Sequence, residues 1–197
     1  MSKVNIKMGY EIEVRDAKGK LIERKKGNSD SFVENFIQML YGLMYGAASN
    51  TQGSVTDTSG YPQSYPNLTS TSQALMRVRA SAGQHNIGIQ VGSGTTPVSK
   101  TDYALESKIG HGTGTGQLSY GECSIDAPYE EDGVLKLRIY RNFSNSSGGS
   151  ITVNEIGIYV STPAGDVMIA RDVLTSPTTV PDGATLTVRY FIQISVG

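Results

Sequence analysis

The sequence predicts a mainly β protein: an antiparallel β-sandwich or jelly-roll-like domain with one amphipathic α-helix near the N-terminus and a long extended arm. Three observations carry this. Hydrophobic residues make up 38% of the chain and charged residues 18%, both low shares, and 23 glycines with abundant Ser, Thr and Asn fill the gap. That mixture suits short strands between many turns, because Gly takes positive φ cheaply while Ser and Asn bond their own backbone. Apolar and polar residues alternate in short stretches divided by turn clusters, and only one long segment keeps a helical period.

In chain order, Tyr10-Glu11-Ile12-Glu13-Val14-Arg15 alternates strictly, which puts its apolar residues on one face of a strand. Asp16-Ala17-Lys18-Gly19 supplies a turn, and Lys20-Leu21-Ile22-Glu23-Arg24 returns as the second strand of a hairpin. Arg24-Lys25-Lys26 reads as its solvated edge, since Lys guards strands against edge-to-edge pairing. The period then changes. Ser31 and Glu34 stand at capping-box spacing, and Phe32, Val33, Phe36, Ile37, Leu40, Leu43 and Met44 follow at helical spacing through to Gly46.

From Ala47 to Leu75 the periodicity disappears, and the only charge between Ser49 and Ser72 is Asp57. Tyr61 and Tyr65 are each followed by proline. A structureless stretch beyond about 12–15 residues is uncommon inside a compact domain, and disordered linkers carry more charge and fewer aromatics than this one. It reads as an extended arm lying on a neighbour.

Strands resume at Leu75–Ala80 and Asn86–Gly92, and Val98–Lys108 reads as a short helical turn with Ser99 and Asp102 at capping-box spacing. Leu118–Ile125, Val134–Phe143, Ile151–Val160, Val167–Ala170 and Ala184–Val196 complete the strands, divided by turn chemistry such as Glu131-Asp132-Gly133 and Pro181-Asp182-Gly183. The expected organisation is residues 1–46 as hairpin plus helix packing on the main domain, 47–75 as arm or loop, and 76–197 as the sandwich.

No catalytic constellation emerges, so an enzyme is not expected, and neither is a cofactor. His85, His111 and Cys123 lie far apart and lack zinc-ligand spacing. His111 sits in Gly110-His111-Gly112-Thr113-Gly114-Thr115-Gly116, but the Lys-Ser/Thr of a phosphate loop does not follow. Glu130-Glu131-Asp132 reads as a solvated turn. The net charge of −1 builds in no general attraction to nucleic acid. No apolar run approaches the roughly 18 residues of a membrane span, nor is a signal peptide visible, so synthesis in a cytoplasm without a membrane partner is expected. The chain has 11 tyrosines and no tryptophan. Sugar-binding modules and protein interfaces both use tyrosine, and composition does not separate them.

The stretch Ile89-Gln90-Val91-Gly92-Ser93-Gly94-Thr95-Thr96-Pro97-Val98, followed by Asp102-Tyr103-Ala104-Leu105-Glu106-Ser107-Lys108-Ile109, resembles a pattern in virion proteins of tailed bacteriophages. So do Ile151-Thr152-Val153-Asn154-Glu155-Ile156-Gly157-Ile158-Tyr159, Ile169-Ala170-Arg171-Asp172 and Val180-Pro181-Asp182-Gly183-Ala184-Thr185-Leu186-Thr187-Val188. The resemblance covers about Ile87 to the end and brings no catalytic residues with it. It implies a non-enzymatic virion subunit that decorates the capsid or belongs to the tail. Its expected partners are copies of itself and other virion proteins, without direct contact to nucleic acid. A carbohydrate-binding host-attachment module and a tail tube or fibre adaptor are the alternatives. The helix stripe and the arm both want a surface to lie on, which nominates Phe36, Leu40, Tyr61 and Tyr65 as assembly contacts. Glu155 is expected to pair with Arg171.

Overall fold

The computed structural model describes residues 4–29, 31–45, 54–64, 76–162 and 165–196. Its elements run β1 (Val4–Arg15), β2 (Leu21–Ser29), α1 (Glu34–Tyr45), β3 (Ser54–Thr56), β4 (Pro62–Ser64), β5 (Gly88–Gly92), β6 (Ser119–Ile125), β7 (Tyr129–Glu131), β8 (Val134–Ser144), β9 (Ile151–Thr162), β10 (Gly165–Val180) and β11 (Thr185–Val196). Strand accounts for 58% against one short helix, so the protein is mainly β, and the named strands pair antiparallel throughout. The helix follows two strands and so does not stand at the N-terminus.

The larger sheet has the order β2-β1-β11-β8-β6, with β7 also pairing β8. The N-terminal hairpin is an integral part of it, because β1 pairs β11 along its whole length, from Val4↔Val196 to Arg15↔Thr185. The hairpin turn forms as its residues dictate: Asp16 Oδ1 accepts from the amides of Lys18 and Lys20, and Gly19 takes a φ of 80°. Tyr10 faces Gly27 across β1 and β2, and a Cβ added at Gly27 would lie 2.7 Å from Tyr10 Cε1. The ring fills the space that glycine leaves.

The second sheet has the order β10-β9-β5. The inward residues of the two sheets share one apolar core, with Ile12, Val14, Leu186, Val188 and Tyr190 from the first and Ile89, Ile156, Ile158 and Val167 from the second. Strand β10 is longer than alternation predicts. Its register breaks between Val173 and Thr178, which accommodates Pro177, a residue with no amide to donate.

Two local expectations are corrected. The helix begins at Glu34, not Phe32, because residues 31–33 run along β10 instead. Val33 N donates to Ile169 O, Arg171 N to Ser31 O, and the Glu34 amide to Lys100 O at 2.8 Å. Val98–Lys108 holds no helix. The Ser99–Asp102 turn forms, with Asp102 Oδ2 accepting from Ser99 N at 2.9 Å, but beyond it the Glu106 and Ser107 amides are drawn to Glu155 of β9 and the chain bends without coiling. Of the arm expected at 47–75, residues 54–64 are described and form a small hairpin, the rest lying outside the described residues. Val55 is fully buried, and Asn35 of α1 exchanges side-chain bonds with the Thr56 backbone at 2.8 Å both ways.

Candidate functional site

The four nominated contacts separate in space. Phe36 is half-buried, its ring stacked on Phe32 with centroids 4.0 Å apart, and so belongs to the seat of the helix. Leu40 points outward beside Ile37, both exposed, one turn apart on α1. Tyr61 is exposed on the β3–β4 hairpin, where its amide donates to Asp57 Oδ1. Tyr65 lies outside the described residues.

A larger apolar surface was not singled out by sequence. The inward parity of the first sheet continues past the core along Ile6↔Ile194↔Leu135, in register across β1, β11 and β8. These side chains are 73%, 40% and 46% exposed. The sheet thus overhangs the elements that cover it and leaves three neighbouring large aliphatic groups in water. The signal was present in the alternation of Asn5-Ile6-Lys7-Met8 and Ile192-Gln193-Ile194, which keeps its apolar phase to the strand ends.

Behind these surfaces the fold buries several charges, and two of the sites are built on a buried arginine. Glu155, fully buried on β9, accepts from Arg171 Nε at 2.8 Å, so the expected pair forms. Its carboxylate also accepts from the amides of Gly94, Glu106 and Ser107 at 2.8–3.1 Å. Arg171 completes its fork on Asp102 Oδ2 at 2.7 Å and Thr96 O at 3.0 Å. Gly94 is required here, since a Cβ would lie 2.6 Å from Glu155 Oε1. Hydrogen bonds from the Thr96 hydroxyl and the Thr96 and Thr95 amides hold the Glu106 carboxyl below its usual range, assisted by Arg171. Glu155 and Arg171 therefore form one clamp fixing residues 93–107 to β9 and β10.

The second site is Arg141 of β8, fully buried with no carboxylate among its hydrogen-bond partners in the described residues. It donates to the carbonyls of Gly121, Ile87, Ile89 and Gln84, and its guanidinium lies 4.8 Å from the Tyr120 ring centroid. Burial lowers its pKa, with Cys123 and Tyr120 acting the other way.

The other residues considered as candidates each have partners within the fold. His85 and His111 stack with centroids 5.9 Å apart, and His111 Nδ1 accepts from the Tyr120 amide. The glycine-rich loop wraps a side chain: Gln117 Oε1 accepts from Gly114 N, and a Cβ at Gly114 would lie 2.9 Å from it. Glu131 pairs with Lys136 at 2.6 Å. Among the described residues, no group of three or more His, Cys, Asp or Glu is placed to hold a metal, and no helix is long and apolar enough to cross a membrane.

Burial pushes the Tyr120 phenol up to about 12, and raises Tyr159 and Tyr190 as well, the last with help from Asp172. A tyrosine whose pKa is higher folded than unfolded stabilises the fold fully below its unfolded pKa of about 10 and loses that contribution as pH rises through the folded value. For Tyr120 alone this amounts to about 2–3 kcal/mol. Ultraviolet titration is expected to show Tyr120, Tyr159 and Tyr190 ionising above the ordinary phenol range, and only as the fold opens. One transition near pH 10 with the fold intact would refute this.

No family model, curated protein or solved structure matches this chain.

Proposed function

We propose that the protein is a non-enzymatic structural subunit of a bacteriophage virion, a capsid-decorating or tail-associated protein that works by symmetric assembly with its own copies and other virion proteins. In this reading the two sheets form a β-sandwich, and the protein reaches the virion after synthesis in the host cytoplasm. The observation that carries the assembly is the overhang of Ile6, Ile194 and Leu135. Large aliphatic groups adjacent in register form a continuous patch of the kind that marks interaction surfaces. Burying each fully against another subunit contributes about 1.5–3 kcal/mol, and symmetry repeats every contact. The resemblance of residues 87 onward to phage virion proteins supports the particle as the setting.

Native mass spectrometry tests this. The wild-type protein is expected as a discrete oligomer, and Ile6→Lys with Ile194→Lys as a folded monomer, because both side chains lie outside the core. A monomeric wild type, or an oligomer indifferent to the two lysines, defeats the proposal.

A further inference from the structure

The outer face of the larger sheet holds a concavity of about 700 Å³, within the size range of ligand sites. Its lining carries five cations, Arg24, Lys26, Lys136, Arg138 and Arg189, against the two carboxylates Glu11 and Glu131. We propose that it binds an acidic oligosaccharide, a sugar chain bearing carboxylate or sulfate groups at intervals.

Each of the five cations is ion-paired, yet the face stays cationic because the two signs differ in depth. Lys26 is 70% exposed and its partner Glu11 13%, while Arg24 is 49% exposed and its partner Glu13 2%. Glu11 also holds Arg189 at 3.1 Å. Of the two lining carboxylates only Glu131, paired with Lys136, is widely exposed. Arg138 donates through Nε to Asp126 at 2.6 Å, and its terminal nitrogens have no protein acceptor among the described residues. That end of the guanidinium fork is free to take an anionic oxygen pair. An arriving anion thus meets cationic heads already fixed by deeper carboxylates, which reduces the ordering that binding requires.

Spacing selects a ligand with several charges. Lys26 on β2 and Lys136 on β8 stand three strand spacings apart, about 14 Å. They are also two register rows apart along the strands, with Arg189 and Arg138 on the diagonal between them. One small anion does not span that track, whereas a slim chain with repeated anionic groups does. The neutral groups narrow the class further. The amides of Asn28 and Gln193 take both a donor and an acceptor, and Glu131 takes a donor. Sugar hydroxyls supply these beside the charged groups, and a phosphodiester backbone has no donor to offer. Arg138 lies over Tyr129 and Tyr140, 5.8 and 5.3 Å from their centroids, which takes up ring faces on which a nucleobase would stack. A peptide strand would add to a sheet edge rather than cross the face.

Isothermal titration with oligogalacturonate and with sulfated maltohexaose is the test. Each is compared with its uncharged counterpart, the methyl ester and maltohexaose itself, and an oligodeoxynucleotide serves as the rival polyanion. At least one acidic sugar is expected to bind, its affinity falling as salt is raised, and its counterpart to bind at least about tenfold more weakly. Arg138→Gln should weaken the acidic sugar by about tenfold. Lys26→Gln, an exposed change that leaves the core untouched, should weaken it measurably. Ile6→Lys should bind as wild type, so a failure of the assembly proposal leaves this one standing. The inference is overturned if neither acidic sugar binds, or if the uncharged counterpart binds as tightly. It is equally overturned if the oligodeoxynucleotide matches the better acidic sugar, or if Arg138→Gln and Lys26→Gln both bind unchanged.

Discussion

Replacing Arg141 by Met is expected to lower the unfolding free energy by about 4 kcal/mol or more, and Tm by roughly 8–16 °C. Strand β5 has β9 as its one strand neighbour in the sheet, and at its other edge Val91 O accepts from Ile109 N. The buried carbonyls of Ile87 and Ile89 have no strand to meet them there. Arg141 reaches from β8 and donates to Ile87 O at 2.9 Å and Ile89 O at 3.2 Å, while Ile89 N donates to Cys123 Sγ at 3.4 Å. One guanidinium thereby does for the edge of β5 what a neighbouring strand would do, and links the two sheets. Met fills similar volume and donates nothing, so the carbonyls of Gln84, Ile87, Ile89 and Gly121 lose a charge-assisted donor together. Hydrogen bonds to a charged group contribute about 1.5–3 kcal/mol each and do not add fully. Arg141→Lys should restore only part of the loss, because an ammonium lacks the planar fork that spans several carbonyls. Urea denaturation measures both. A Met variant within about 0.5 kcal/mol of wild type would mean that water replaces the guanidinium at no loss.

Alternation made the strands legible: Tyr10–Arg15, Val134–Phe143 and Ile151–Val160 all fall inside observed strands. Sheet order was not legible, because β1 finds β11 from the opposite end of the chain, and periodicity carries no information about partners. The helical reading of Val98–Lys108 failed for a definite reason. Asp102 and the backbone around Glu106 are drawn to Arg171 and Glu155, and those bonds outweigh a local turn preference. Of the candidate site, spacing put Phe36 and Leu40 on one apolar stripe of α1, and the structure seats Phe36 against the core while leaving Leu40 exposed. The overhang was missed because alternation says which face a residue takes, not whether that face is covered. Arg141 left a usable trace: it shares the inward parity of Ile139 and Phe143, and an arginine in that phase signals a buried polar role.

The clamp at Glu155 and Arg171 should show strong non-additivity. Glu155→Gln keeps the shape but turns one acceptor into a donor facing the amides of Gly94, Glu106 or Ser107, and leaves Arg171 with reduced compensation in a buried position. Arg171→Met leaves the Glu155 carboxylate buried against backbone amides alone and frees Asp102. Breaking one side of a buried pair costs about 3–5 kcal/mol, whereas replacing both charges is far milder. Each single variant is therefore expected to lose about 3–5 kcal/mol, and the double variant to lose clearly less than their sum, with a coupling of about 1–3 kcal/mol. Hydrogen exchange adds the local readout. Amides of Gly94, Glu106 and Ser107 should lose protection in Glu155→Gln more than the core strands do, because those amides end on the carboxylate itself. Strictly additive losses would show that the two side chains act separately and that the 93–107 segment is held by its backbone contacts with β5 and α1. Coupling confined to the clamp, with the core unchanged, would show that one ion pair sets the position of this segment on the second sheet.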